Sequence, residues 1–153
     1  MAIYYVDASA LVKLYVTERG TSRVKTLVAS GGITTSLLSV AEVASALGRR
    51  TLAGEYSAEQ RDELFLTFLN DARAYDVMTI AEPLVMAAAR RLLEGGGVPI
   101  LRGSDAIHLA TAEQSFILAR QAGEDGVLVT SDRRLRDAAM AAGLTVENPE
   151  EHE

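Results

Sequence analysis

The sequence predicts an α/β fold: a three-layer α/β/α sandwich around a mostly parallel sheet. Short β-favouring apolar runs alternate with amphipathic helical patterns along almost the whole chain, the mark of a parallel sheet covered on both faces. The clearest of these runs, Ile3-Tyr4-Tyr5-Val6, leads directly into Asp7, Ala8 and Ser9, and a helical pattern follows at once. An acid at the start of a helix recurs three more times. In open α/β sheets, the carboxyl ends of the strands are where ligands bind.

Each element follows from local pattern. After the first strand, Leu11, Val12, Leu14, Tyr15 and Val16 form a short apolar helix that stops near Gly20, with Ser9 placed to cap it. Ser22 to Ala29 carries Val24, Leu27 and Val28 on one helical face and ends at Gly31-Gly32. Ile33 to Leu38 reads as the second strand. Ser39-Val40-Ala41-Glu42 has the spacing of a capping box and opens a helix that runs to about Gly54. Ser57 to Gln60 opens the next, whose apolar stripe is Leu64, Phe65, Phe68 and Leu69. Tyr75 to Ile80 is a third strand, and Glu82-Pro83 begins a helix ended by Gly95-Gly96-Gly97.

Val98 to Gly103 is a connection, and Ser104-Asp105 opens a long helix to about Ala122. Gly126 to Thr130 is the fourth strand, Ser131-Asp132 starts the last helix, and Leu144 to Val146 is an edge strand. The expected organisation is one domain over residues 1–146. The acidic stretch 147–153 is expected to be flexible.

Bulk properties narrow the function classes. A chain of 153 residues with 48% hydrophobic content supports one well-buried core. The absence of cysteine removes disulfides and thiolate-bound metals, and a reducing cytoplasm is the expected location. No apolar run approaches the roughly 20 residues that cross a bilayer. The first strand, with no basic n-region or cleavage site before it, is not expected to be a signal peptide. The formal charge of −6 is unlike that of most nucleic-acid binders, although whole-surface charge says little about one cleft.

Asp7, Glu42, Asp105 and Asp132 each lie in the first turn of a helix, so the topology can gather them at one edge of the sheet. Asp105, with no strand directly before it, is the least constrained by pattern. Each acid alone is explained by capping or by the helix dipole. Together, among apolar and small neighbours, they would be partly desolvated and mutually repelling without a counter-ion. An all-oxygen set without cysteine or paired histidines selects Mg²⁺ or Mn²⁺ over zinc, and such sites generally act on phosphate esters.

Four segments together resemble the motifs of PIN domains, most nearly the VapC-type toxins of bacterial and archaeal toxin–antitoxin pairs. They are Tyr5 to Ser9, Ser39 to Val43, Ser104 to Ala112 and Val129 to Asp132, in order along nearly the whole chain. The resemblance implies a Mg²⁺- or Mn²⁺-dependent ribonuclease with a small cognate antitoxin as partner. In it, Asp7 and Asp105 are direct metal ligands, while Glu42 and Asp132 act through water or on a second ion. Ser9, Thr130 and Ser131 are hydroxyl partners of the acids, with Ser9 equally readable as a plain cap.

Lys13, Arg49, Arg50, Arg102, Arg133, Arg134 and Arg136 lie on or near the acid-bearing segments and are candidate contacts to an RNA backbone. Arg49-Arg50 is equally explained by the dipole at a helix end, and Arg90-Arg91 by a solvated face. His108, three residues beyond Asp105, is a candidate base or ligand, or a helix histidine packed beside the site. His152 lies in the tail and is given no role. Any exposed strip left on the helix after Ser57 suits a homodimer or an antitoxin helix. The first reading is a metal-dependent endoribonuclease. The alternatives are another Mg²⁺-dependent phosphoester hydrolase and a non-catalytic binding module on the same fold.

Overall fold

The computed structural model describes residues 2–95 and 101–152. Five strands form one parallel sheet: β1 (Ala2–Val6), β2 (Gly32–Ser36), β3 (Asp76–Met78), β4 (Asp125–Val129) and β5 (Val146–Glu147). Their order is β3-β2-β1-β4-β5. The chain winds outward from β1 in both directions, so the crevice beyond the carboxyl ends of β1 and β4 is the topological switch point.

The helices are α1 (Ala8–Leu11), α2 (Thr21–Ser30), α3 (Leu38–Leu52), α4 (Ala58–Asp71), α5 (Glu82–Glu94), α6 (Gly103–Gln121) and α7 (Arg133–Ala141). Short 3-10 turns cover 12–14, 72–74 and 149–152. The pleat sends alternate side chains to opposite faces. Tyr5 and Leu128, opposite one another in the β1–β4 register, pack with Leu109, Phe116 and Leu135 of α6 and α7. Their neighbours Val6 and Val129 pack on the other face with Leu11, Val24, Val43, Leu47 and Phe68 of α1 to α4. This is the three-layer sandwich. At Gly126 the Phe116 ring lies so close that a Cβ would stand 2.1 Å from it, so only glycine lets α6 sit down on β4 here.

The elements fall where pattern placed them, with local differences. The third strand is shorter than Tyr75 to Ile80, and the last strand lies one or two residues later than Leu144 to Val146. The first part of the expected connection, residues 98–100, and Gly96-Gly97 lie outside the described residues. On α4, Leu64, Phe65 and Phe68 enter the core, whereas Leu66 and Leu69 are exposed.

Of the stretch expected to fray, residues 147–151 are held in place. Glu147 belongs to β5, and its side chain pairs with Arg23. Glu151 pairs with Arg136 at 2.8 Å. Glu150 reaches Lys13, whose Nζ also donates to Glu18 and to the Arg19 carbonyl. Local sequence could not reveal the Lys13 contact, because Lys13 and Glu150 stand 137 residues apart.

The Lys13 hydrogen bond outweighs partial burial and holds the Glu150 carboxyl below its usual range. A depressed folded-state pKa contributes stability above the unfolded value of about 4.3, lost as pH falls through the folded value. Glu150→Gln is therefore expected to lower Tm at pH 7 by about 2–4 °C, equivalent to about 1 kcal/mol in a chain this size. The gap from wild type should close in acid, as thermal melts at pH 7 and below pH 4 would read. A gap that held constant with pH would mean the ion pair contributes nothing.

Candidate active site

The four acids line one cleft of about 340 Å³ beyond the strand ends, together with Ser9, Arg49, Arg102 and His108. Asp7 prolongs β1: its N–H donates to the Val129 carbonyl at 3.2 Å, which places it beside Thr130 at the end of β4. The residue is 4% exposed. The oxygens accept from the Ala10 N–H (3.1 Å), the Ser9 hydroxyl (2.8 and 3.0 Å) and the Thr130 hydroxyl (2.9 Å). Asp7 itself is the N-cap of α1, so Ser9 is not the cap expected from sequence. Ser9 instead orients the acid and accepts the Ser131 N–H at 2.9 Å. Burial pushes the Asp7 carboxyl above its usual value, against the lowering effects of His108, Ser9, Thr130 and the Ala10 N–H.

Glu42 is not the cap expected of it either. Helix α3 begins at Leu38, and the Ser39 hydroxyl is held by Thr35 at 2.8 Å, so the capping box does not form. Freed from the backbone, Glu42 meets His108 Nε2 at 2.7 Å. The other ring nitrogen, Nδ1, lies 2.9 Å from the hydroxyl of fully buried Tyr5. Burial lowers the His108 pKa, but Glu42, Asp7 and Asp105 more than offset it and the net shift is upward, toward imidazolium. His108 is thus neither loose filler nor an exposed base: it ties Glu42 to the core of the sheet.

Asp105, on the first turn of α6, is 5% exposed. It accepts the Arg102 N–H at 3.1 Å and Arg102 Nε at 3.2 Å. Asp132 both caps α7, through the Arg134 and Leu135 N–H groups, and receives Arg102 Nη2 at 2.8 Å. The repulsion expected among four acids is therefore countered from within the chain, by Arg102 and His108. Local pattern showed neither pairing.

The basic candidates separate. Arg49 and Arg102 line the cleft. Arg133 and Arg134 are exposed on α7 just past Asp132. Lys13 is no RNA contact: it is 3% exposed, and its ammonium is consumed by Glu18, Glu150 and a carbonyl. Arg50 is taken by Glu18 and Glu55, and Arg136 by Asp137 and Glu151.

No three carboxylates or imidazoles among the described residues stand ready to ligate one ion as placed. The donor set still fits a hard divalent cation. It offers only carboxylate oxygens, hydroxyls and one committed imidazole, and no lysine or arginine pairs with buried Asp7 among the described residues.

The site has relatives. Residues 4–140 match the family model of the PIN domain. The chain is 34% identical to Ribonuclease VapC46 of Mycobacterium tuberculosis, over 97% of this chain and 99% of that one. It is 34% identical to Ribonuclease VapC45 of the same organism, over 95% of each. Among solved structures its fold is similar to FitAcB from Neisseria gonorrhoeae, with TM-score 0.66 and 18% identity over 98% of this chain and 99% of that one. It is also similar to VapC20 from Mycobacterium tuberculosis, a sarcin-ricin loop cleaving toxin, with TM-score 0.65 and 19% identity over 93% and 96%. Divalent-metal dependence is a general property of PIN-domain VapC ribonucleases. A family match that begins one residue into Ile3-Tyr4-Tyr5-Val6 and ends eight residues past Asp132 takes in all four acids of the cleft, and with it the chain belongs to the PIN-domain family.

Proposed function

We propose that this chain is a metal-dependent endoribonuclease, the toxin of a VapBC-type toxin–antitoxin pair, acting in the cytoplasm through one nuclease domain over residues 1–146. The observation that carries the reading is the meeting of Asp7, Glu42, Asp105 and Asp132 in one cleft at the switch point of the sheet, with Arg49 and Arg102 in its wall. Ribonuclease relatives at 34% identity over nearly the full length support the same substrate.

In this reading Asp7 and Asp105 would hold Mg²⁺, or Mn²⁺ in its place, directly. Glu42 and Asp132 would bind through water or position a second ion. When bound, the ion neutralises phosphate charge and lowers the pKa of an attacking water. The chain's own groups do the rest. Ser9 and Thr130 fix both oxygens of Asp7, Ser131 fixes Ser9, and His108 holds Glu42. Arg49 and Arg102 face the backbone of the RNA, with Arg133 and Arg134 outside the cleft. The exposed Leu66 and Leu69 of α4 offer an apolar surface for an antitoxin helix or a second copy in a homodimer. VapBC-5 from Mycobacterium tuberculosis, similar in fold, is a member of the VapBC family of toxin-antitoxin systems and supports that picture.

The test is cleavage of a mixed RNA pool. Cutting is expected with Mg²⁺ or Mn²⁺, to stop in excess EDTA and to return when the ion is restored. Cutting that persisted in EDTA would sink the metal mechanism. Hydrolysis of phosphate monoesters in place of RNA would favour another phosphoester hydrolase, and tight RNA binding without cutting a binding module. In parallel, Mg²⁺ at ten times its Kd should raise Tm by about 3–6 °C, the equivalent of about 1.4 kcal/mol. NaCl at matched ionic strength should not reproduce that rise.

A further inference from the structure

Arg102 stands apart from the other basic residues because it spans two of the four acids. Its Nε meets Asp105 Oδ2 and its Nη2 meets Asp132 Oδ2, on helices that begin 30 residues apart. The Asp105 side chain is 7% exposed and that of Arg102 58%, so the guanidinium lies over the acids from the open side of the cleft. Its backbone N–H is also spent on Asp105, so the main chain stays anchored to that acid while the side chain is free to turn. A guanidinium stays protonated at any working pH, so it cannot leave the acids by losing its proton. At Asp132, Oδ1 is committed to the α7 cap, and a divalent ion would need the Oδ2 that Arg102 holds. At Asp105 both Arg102 donors sit on Oδ2, and an ion on that carboxylate would stand directly beside the guanidinium and repel it.

We propose that Arg102 is a built-in stand-in for the metal. It neutralises Asp105 and Asp132 in the metal-free protein, gives up both carboxylates when a divalent cation enters, and then turns its fork to a phosphate of the RNA in the same cleft. The proposal rests on the nuclease reading above and adds an exchange that links metal entry to substrate binding. The displaced guanidinium faces a dication beside it, which drives it outward, and its two parallel N–H groups match phosphate oxygens. Arg102 is thus a positioning residue for the acids before it becomes a contact to substrate.

The test is calorimetric titration of Mn²⁺ into the whole chain without RNA, comparing wild type, Arg102→Ala and Arg102→Lys. Removing the competitor should make Arg102→Ala bind Mn²⁺ about five- to tenfold more tightly, the effect of deleting partly exposed ion pairs. At saturating Mn²⁺ the same variant should cleave RNA about tenfold or more slowly, because the phosphate contact is gone. Arg102→Lys keeps the charge and loses the fork, so its Mn²⁺ affinity should stay near that of wild type while its cleavage stays impaired.

Unchanged or weaker Mn²⁺ binding by Arg102→Ala would overturn the exchange. Undiminished cleavage at saturating Mn²⁺ would overturn the phosphate contact. A merely structural arginine would weaken metal binding and cleavage together. If wild type neither bound Mn²⁺ nor cut RNA, the nuclease reading itself would fail. Failure of the Arg102 variants alone leaves that reading standing.

Discussion

Asp7→Asn is expected to abolish metal-dependent RNA cleavage while leaving the fold intact. Asparagine has nearly the shape of aspartate, and the surroundings of Asp7 can adapt to an amide. Its oxygen can still accept the Ala10 N–H that starts α1. The Ser9 and Thr130 hydroxyls, which now donate to the carboxylate, can rotate to accept from the amide nitrogen. Thr130 already accepts the Asp132 N–H, and its second lone pair remains for this purpose. What disappears is the charge. Burial disfavours that charge in the metal-free protein, so its removal should leave Tm unchanged or slightly higher. Losing one preorganised electrostatic contact to the reacting centre typically costs on the order of 10²–10³ in rate, and a direct ligand should cost at least that. A cleavage assay in Mg²⁺ beside a thermal melt separates the outcomes. A variant that melted like wild type and still cut at the wild-type rate would leave Asp7 a helix cap and nothing more.

The legibility of this chain follows the range of its interactions. The sheet was readable because an apolar β-favouring run is a local signal, apolar throughout because both faces are covered: Tyr5 and Val6 diverge to opposite layers, as do Leu128 and Val129. The acids at the ends of β1 and β4 were readable for the same reason, since a strand followed by Asp and a helix is a contiguous pattern. What failed was the assignment of local jobs that distant groups took over. Ser39 has capping-box spacing, but Thr35 captures its hydroxyl, and the Leu37 N–H is claimed by the Met78 carbonyl on β3. The helix starts earlier and Glu42 is released to His108, 66 residues away. Lys13 sits beside the first motif in sequence, yet it turns away to serve the C-terminal turn. The bridge from Arg102 to Asp132 has no sequence signature, because it closes across the gap between two helix starts.

His108→Leu is expected to damage both stability and cleavage, and two further variants pull the effects apart. The histidine is 2% exposed, and its ring meets that of Tyr5 edge-on at 6.1 Å between centroids. Leucine fills similar space but offers no hydrogen bond to the buried Tyr5 hydroxyl or to Glu42. Losing a partner for a buried polar group costs about 1–3 kcal/mol. For a chain of this length, about 2 kcal/mol is a fall in Tm of about 4–8 °C. Cleavage should fall as well, since the Glu42 side chain, 30% exposed, would be free to swing into solvent. His108→Asn places an amide near Nδ1, where it can meet Tyr5 but falls short of Glu42, so stability should recover more than activity. His108→Gln places its amide near Nε2, toward Glu42, so activity should recover more than stability. Thermal melts and cleavage rates on the three variants decide the matter. If His108→Leu melted and cut like wild type, the histidine would be packing alone, and Glu42 would be held by something other than its ring.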